Sequence, residues 1–137
     1  GTNETIDINA DVTAGTGALL IQNAAAVDLA DNVDLTGARV SVSTGVTAFN
    51  LSGANATTNV ISSTGDANTI SLAAVTATNN PNLTLQSEGD LTLNSSVSIG
   101  TGTFIATVDT NNNGSNTLLV SGAPTAGRQA PIPGRWR

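Results

Sequence analysis

The sequence predicts an all-β protein built as a parallel β-solenoid of triangular cross-section, with about 21 residues per turn and about five to six turns. Three observations lead to this prediction. Short apolar triplets recur at a near-constant spacing, Val, Ile and Thr are abundant, and glycines fall between the triplets. Val, Ile and Thr favour extended backbone, and glycine supplies the tight corners that short strands need.

The main series consists of triplets in which two apolar residues flank one other residue. Its members are Ile6-Asp7-Ile8, Val27-Asp28-Leu29, Phe49-Asn50-Leu51, Ile70-Ser71-Leu72 and Leu91-Thr92-Leu93, whose first residues lie 21, 22, 21 and 21 positions apart. Alternation with a period of two gives a strand one inward and one outward face. We therefore expect an inward column of Ile6, Val27, Phe49, Ile70 and Leu91. The outward column expected beside it is Asp7, Asp28, Asn50, Ser71 and Thr92.

Two further apolar series recur at about the same spacing as the first. The second comprises Val12, Val33, the weakened Ala54-Asn55-Ala56, Val75 and Val97. The third comprises Leu19-Leu20-Ile21, Val40-Ser41-Val42, Val60-Ile61, Leu83-Thr84-Leu85 and Phe104-Ile105-Ala106. Three short strands per repeat cannot close a core alone, but stacked repeats can. An antiparallel sandwich is the competing interpretation, yet it predicts no three-part phase shared by successive repeats.

The periodicity is interrupted near the end of the chain. Leu118-Leu119-Val120 arrives 27 residues after Leu91, which predicts one more turn behind a corner insertion at 109–116. The sequence thus divides into a solenoid over 1–123 and an irregular tail over 124–137.

The tail is rich in Pro and Arg. Pro residues exclude regular strand pairing. Two interpretations of the tail remain open. It is either a disordered terminal peptide, or an arm that docks on the acidic surface of a neighbouring copy through Ile132 and Trp136.

The composition excludes several classes of protein. The chain contains no Cys and no His, which excludes disulfide scaffolds, Cys/His zinc sites and Ser–His–Asp triads. Its net charge of −6 argues against binding nucleic-acid phosphates. No apolar run of about 18 residues occurs, so no membrane span is predicted. The chain starts at Gly1, as a processed protein or a piece of a longer one would, and its acidic, Lys-free composition favours an extracellular or bacterial cell-surface location.

Acidic residues cluster in the first two repeats. Asp7 and Asp28 stack in one outward column, and Asp31 and Asp34 follow in the same turn as Asp28. Without a His, a Lys or a nearby Arg, these acids lack the base and charge stabiliser that hydrolysis needs. We therefore interpret them as a solvated edge that discourages aggregation. The sequence predicts no enzyme, and no catalytic residue, cofactor site or metal ligand is assigned.

The corner insertion contains a partial calcium-loop motif. Asp109, Asn111, Asn113 and Gly114 match the opening D-x-N-x-N-G of such a loop. The twelfth position is Val120, where that loop requires a Glu, and Asp109 is the only carboxylate. A polar corner is the favoured interpretation, with calcium binding as the alternative.

One stretch resembles a known family. Residues 82–97 read as aliphatic-Thr-aliphatic, a Gly89-Asp90 corner, and aliphatic-Thr-aliphatic again. This resembles the degenerate repeats of filamentous-haemagglutinin-type bacterial adhesins, a likeness that extends over about residues 5–121. The resemblance implies a right-handed parallel β-helix that is exported by bacteria and used in surface attachment or filament building. The chain is far shorter than those adhesins.

These patterns lead to an expectation about function. The edges of a short solenoid expose backbone N–H and C=O groups, and head-to-tail addition of a second copy satisfies both edges and extends into a fibre. We expect an extracellular structural or adhesive subunit that stacks into a filament or forms part of an adhesin shaft. The alternative is a carbohydrate- or matrix-binding module acting through an outer face. The partners expected are further copies of the chain and surface glycans.

Overall fold

The computed structural model describes residues 4–54, 56–65, 70–93, 95–114, 116–120 and 128–129. Within these residues the chain forms short β-strands separated by corners. In chain order they are β1 (Thr5–Ile8), β2 (Val12–Thr13), β3 (Ala18–Ile21), β4 (Ala26–Leu29), β5 (Leu35–Gly37), β6 (Arg39–Val42), β7 (Ala48–Leu51), β8 (Thr58–Ser63), β9 (Ile70–Leu72), β10 (Val75–Ala77), β11 (Asn82–Ser87), β12 (Leu91–Leu93), β13 (Val97–Ser98), β14 (Thr103–Val108), β15 (Leu118–Val120) and β16 (Arg128–Gln129). None of the described segments is a helix able to cross a membrane.

The strands form three parallel sheets that stack turn upon turn. Sheet A has the order β1-β4-β7-β10-β13, sheet B the order β2-β5-β8-β11-β14-β16, and sheet C the order β3-β6-β9-β12-β15. Each strand pairs in parallel with its equivalents in the adjacent turns. The predicted parallel β-solenoid is thereby confirmed. Its size differs slightly from the prediction, with about four turns of about 22 residues instead of five to six turns of 21.

The column predicted for the main series is correct only for the first three tiers, while the third series leaves sheet C after Val40 and Val12 of the second series pairs with Leu35 instead of Val33. Ile6, Val27 and Phe49 do lie side by side in sheet A. Phe49 then pairs with Val75, whereas Ile70 pairs with Val40 in sheet C. The outward column of sheet A likewise continues from Asp7, Asp28 and Asn50 to Thr76 and Ser98, not to Ser71 and Thr92.

The reason for this shift is a change in corner length. Leu35 in β5 lies six residues after Leu29 in β4, but its partner Ile61 in β8 lies ten residues after Leu51 in β7. These four extra residues move Val60-Ile61 and the later triplets to different sheets from those that a constant period assigns. Leu83-Thr84-Leu85 and Phe104-Ile105-Ala106, for example, lie in sheet B, while Leu19-Leu20-Ile21 and Val40-Ser41-Val42 lie in sheet C.

The core consists of the inward side chains of all three sheets. Its fully buried side chains include Phe49, Leu35, Ile61 and Leu85. The alternating buried and half-buried pattern of β8 and β11 matches the period-two prediction. Ile6 belongs to an inward column but is 39% exposed, because it lies in the first described tier.

The predicted corner insertion is confirmed. β15 pairs with β12 so that Leu118 lies beside Leu91, with the inserted residues between β14 and β15. Within the predicted tail, Arg128–Gln129 forms β16, which pairs with the start of β14. Ile132 and Trp136 lie outside the described residues.

Candidate functional site

The polar side chains at the corners form a repeated set of hydrogen bonds between consecutive turns, which we call the Asx ladder. In each, an Asp or Asn side-chain oxygen accepts a backbone N–H from a residue one turn later. The pairs are Asp11 with Asp34 (2.9 Å), Asp31 with Ala54 (3.0 Å), Asn32 with Thr58 (3.2 Å), Asp34 with Val60 (2.9 Å), Asn80 with Thr101 (2.9 Å), Asn82 with Thr103 (2.8 Å) and Asp90 with Thr117 (2.7 Å).

The Asx ladder follows from the geometry of a corner. Backbone groups of adjacent strands satisfy one another, but that pairing stops where the chain turns away from the sheet. Asp and Asn carry a short side chain that can accept a neighbouring N–H. The corner N–H groups thereby gain a protein acceptor and the turns are linked outside the sheets.

The acids of the second turn have a role that the sequence interpretation did not assign. Asp31 and Asp34 accept N–H groups from the next turn, and Asp28 accepts a hydrogen bond from the Asn50 amide at 2.7 Å. Each of these three side chains links two turns, a role that the interpretation as a solvated edge did not include. Asp7 is exposed and lies beside Asp28 on the neighbouring strand of sheet A.

We expect Asp34→Ala to lower the free energy of unfolding by about 1 kcal/mol, since the half-buried Val60 N–H loses its acceptor. Asp34→Asn keeps an acceptor oxygen and is expected to retain most of that stability. Urea unfolding followed by circular dichroism measures both. Asp7→Ala is the control and should cost nothing, because it removes a like-charge contact with Asp28. If Asp34→Asn were as unstable as Asp34→Ala, the role of the side chain would depend on its charge.

Two shallow depressions lie on the outer surface. One of about 240 Å³ is lined by Asp28, Asn50, Leu51, Ser52, Thr76 and Thr78. In it Thr76 donates to the Asn50 amide oxygen at 2.7 Å, and Asn50 donates to Asp28. The other, of about 350 Å³, is lined by Ala56, Asn80, Asn82, Thr101 and Gly102. These groups can hydrogen-bond a polar ligand.

The Asp109 loop is a hydrogen-bonded corner. One Asp109 carboxylate oxygen accepts the Asn113 N–H at 2.7 Å and the other accepts the Gly114 N–H at 2.9 Å. Asn116 donates to the Glu88 backbone oxygen at 2.6 Å, which attaches the loop to the preceding turn. Among the described residues, no three His, Cys, Asp or Glu side chains gather as metal ligands usually do. Calcium binding by Asp109, Asn111 and Asn113 stays an untested alternative.

One polar residue that the sequence analysis missed lies inside the core. Asn59 has no exposed surface, and its amide nitrogen donates to the backbone oxygens of Ala30 and Val33, each at 2.8 Å. Its own side-chain oxygen is buried without a hydrogen-bond partner. The alternation of the strand could have indicated that Asn59 is buried, because Asn59 is two residues before Ile61 and therefore faces inward with it. Asn59 fixes the position of the preceding corner against β8.

Comparison with known proteins adds no family to this description. No protein-family model matches the chain, and neither curated proteins nor solved structures show significant similarity to it.

Proposed function

We propose that this chain is an extracellular structural element, a β-solenoid that serves as a filament subunit or as a segment of a bacterial adhesin shaft. One observation carries the proposal. The side chains best suited to chemistry, the Asp and Asn residues at the corners, are engaged in the Asx ladder. A structural element needs its polar groups to connect successive turns, whereas an enzyme needs them directed at a substrate.

The repeat style supports the extracellular assignment. The aliphatic-Thr-aliphatic segments around Gly89 and Asp90 resemble filamentous-haemagglutinin-type repeats, and a parallel solenoid is the fold which that resemblance implies. In the structure these segments are β11 and β12, which belong to sheets B and C. Each stacked turn lengthens the solenoid by about 4.8 Å, so that repetition gives a rod.

A carbohydrate- or matrix-binding module is the second candidate. The depression at Asp28, Asn50 and Thr76 favours it, since its carboxylate, amide and hydroxyl groups suit a sugar. Those three side chains already hydrogen-bond one another, and a ligand must compete with these bonds. This competition makes the structural role the stronger proposal.

The test combines particle shape with ligand binding. Electron microscopy and light scattering of the pure chain should reveal elongated particles about 20–30 Å wide that lengthen with concentration. A panel of surface glycans and matrix proteins should give no saturable binding. The second candidate would be established instead by three results together. The chain stays monomeric at every concentration, it binds one glycan saturably, and the Asn50→Ala variant loses this binding.

A further inference from the structure

Sheet C carries exposed leucines at both of its outer edges. Leu20 in β3 is 48% exposed and Leu119 in β15 is 53% exposed. Both belong to a single column on the outer face. That column runs Leu20, Ser41, Ser71, Thr92, Leu119. The three positions between the leucines carry hydroxyl groups, so the large apolar side chains occur only at the two ends.

The inward column of sheet C points to the same two edges. Val40, Ile70 and Leu91 are fully buried in the middle of the sheet. Leu19 in β3 and Leu118 in β15, at the ends of that column, are only partly buried. Within the described residues, β3 and β15 each pair with one strand only, so each has an edge available for another strand.

We propose that a second copy of this chain occupies these edges, with β15 of one copy pairing in parallel with β3 of the next. This inference rests on the proposed structural function and names its partner and register. Continuation of the existing register places Leu118 of one copy beside Leu19 of the next, and Leu119 of one copy beside Leu20 of the next. Each leucine then covers apolar surface that water otherwise contacts. The contact joins two different edges, so it repeats from copy to copy and produces a fibre.

Sheet B is compatible with the same register. Val12 begins a column that continues through Leu35, Ile61 and Leu85 to Ala106. Extending this column places Val12 of the next copy beside Ala106. Among the described residues, β16 pairs with Thr103 and Phe104, the first two residues of β14. The part of β14 that the next copy's β2 requires is therefore not paired with β16.

Directed cross-linking tests the register, because the chain contains no native Cys. The variants Leu20→Cys and Leu119→Cys are mixed under mild oxidation. Neighbouring parallel strands are about 4.8 Å apart, within the range of about 4.4–6.8 Å between Cα atoms that a disulfide spans. We expect a disulfide-linked dimer of the two variants. The control mixture pairs Leu20→Cys with Thr92→Cys, which lies in the same column but inside the sheet, and should give several-fold less.

Two results would overturn the register. One is a cross-link yield no higher than that of the control mixture. The other is equally efficient linking of Leu20→Cys with itself, which would indicate a two-fold contact between like edges. A double variant, Leu20→Ser with Leu119→Ser, extends the hydroxyl column to both ends and should associate several-fold more weakly in light scattering. Circular dichroism checks that every variant folds.

These outcomes separate the register from the structural role. Filaments whose length is unchanged in the double serine variant would keep the structural role and overturn this register. Saturable glycan binding by a monomer would instead overturn the structural role, whatever the yield of the cross-link.

Discussion

Gly102→Ala is expected to destabilise the protein by about 3 kcal/mol or more, an over-packing cost at the upper end of the usual range. Gly102 is buried in the corner between β13 and β14, where its N–H donates to the Ile99 backbone oxygen at 3.1 Å. A methyl group there would overlap the carbonyl oxygen of Pro81 and lie 2.8 Å from its carbonyl carbon. Because both obstacles are backbone atoms just before β11, neither can rotate away. Relief requires that β11 and β14 move apart.

The control for this variant is Gly15→Ala. Gly15 has a φ of +58°, and an added methyl group would find nothing within 4 Å. The control therefore measures backbone strain alone, which we expect to cost about 1 kcal/mol. Urea unfolding of both variants gives the comparison. If Gly102→Ala were as stable as Gly15→Ala, the close packing of this corner on Pro81 would be refuted.

Asn59→Asp is the second substitution for which we expect a large effect, a loss of about 3 kcal/mol at neutral pH, as for an uncompensated buried charge. The carboxylate has the shape of the amide but cannot donate to the backbone oxygens of Ala30 and Val33. It faces both oxygens without access to water, since Asn59 is fully buried. Asn59 thus contributes its two N–H groups rather than its volume.

The loss in Asn59→Asp should depend on pH. Burial raises the pKa of the new carboxyl in the folded state, so the folded protein binds a proton more tightly than the unfolded chain. The deficit relative to the native protein should therefore be small near pH 4 and grow as the pH rises. Urea unfolding across this range measures it. Asn79→Asp introduces the same charge at an exposed position and should show no such deficit. A pH-independent loss in Asn59→Asp would show that lost packing, not the buried charge, is responsible.

The candidate site was less predictable from the sequence than the fold. The clustering of Asp28, Asp31 and Asp34 was evident, but their roles were not, since a carboxylate at a corner looks the same whether it faces water or a backbone N–H. Which backbone N–H lacks a backbone acceptor depends on the residue at which the chain of the next turn leaves its sheet. For Asp34 that N–H belongs to Val60, 26 residues away. Asn59 was missed for the same reason, because its acceptors lie in a corner of the preceding turn.

By itself the sequence determined that strands of alternating polarity stack in parallel turns, and it placed Val27 beside Phe49 and Leu91 beside Leu118. Only the tertiary structure decided which of the three sheets each later strand joins. The alternation of apolar and polar residues distinguishes the two faces of a strand but is the same in every sheet. It therefore does not decide whether the strand next to Phe49 is the one that contains Ile70 or the one that contains Val75. The choice was made by corner length, because the path from Leu51 to Ile61 is four residues longer than the equivalent path from Leu29 to Leu35.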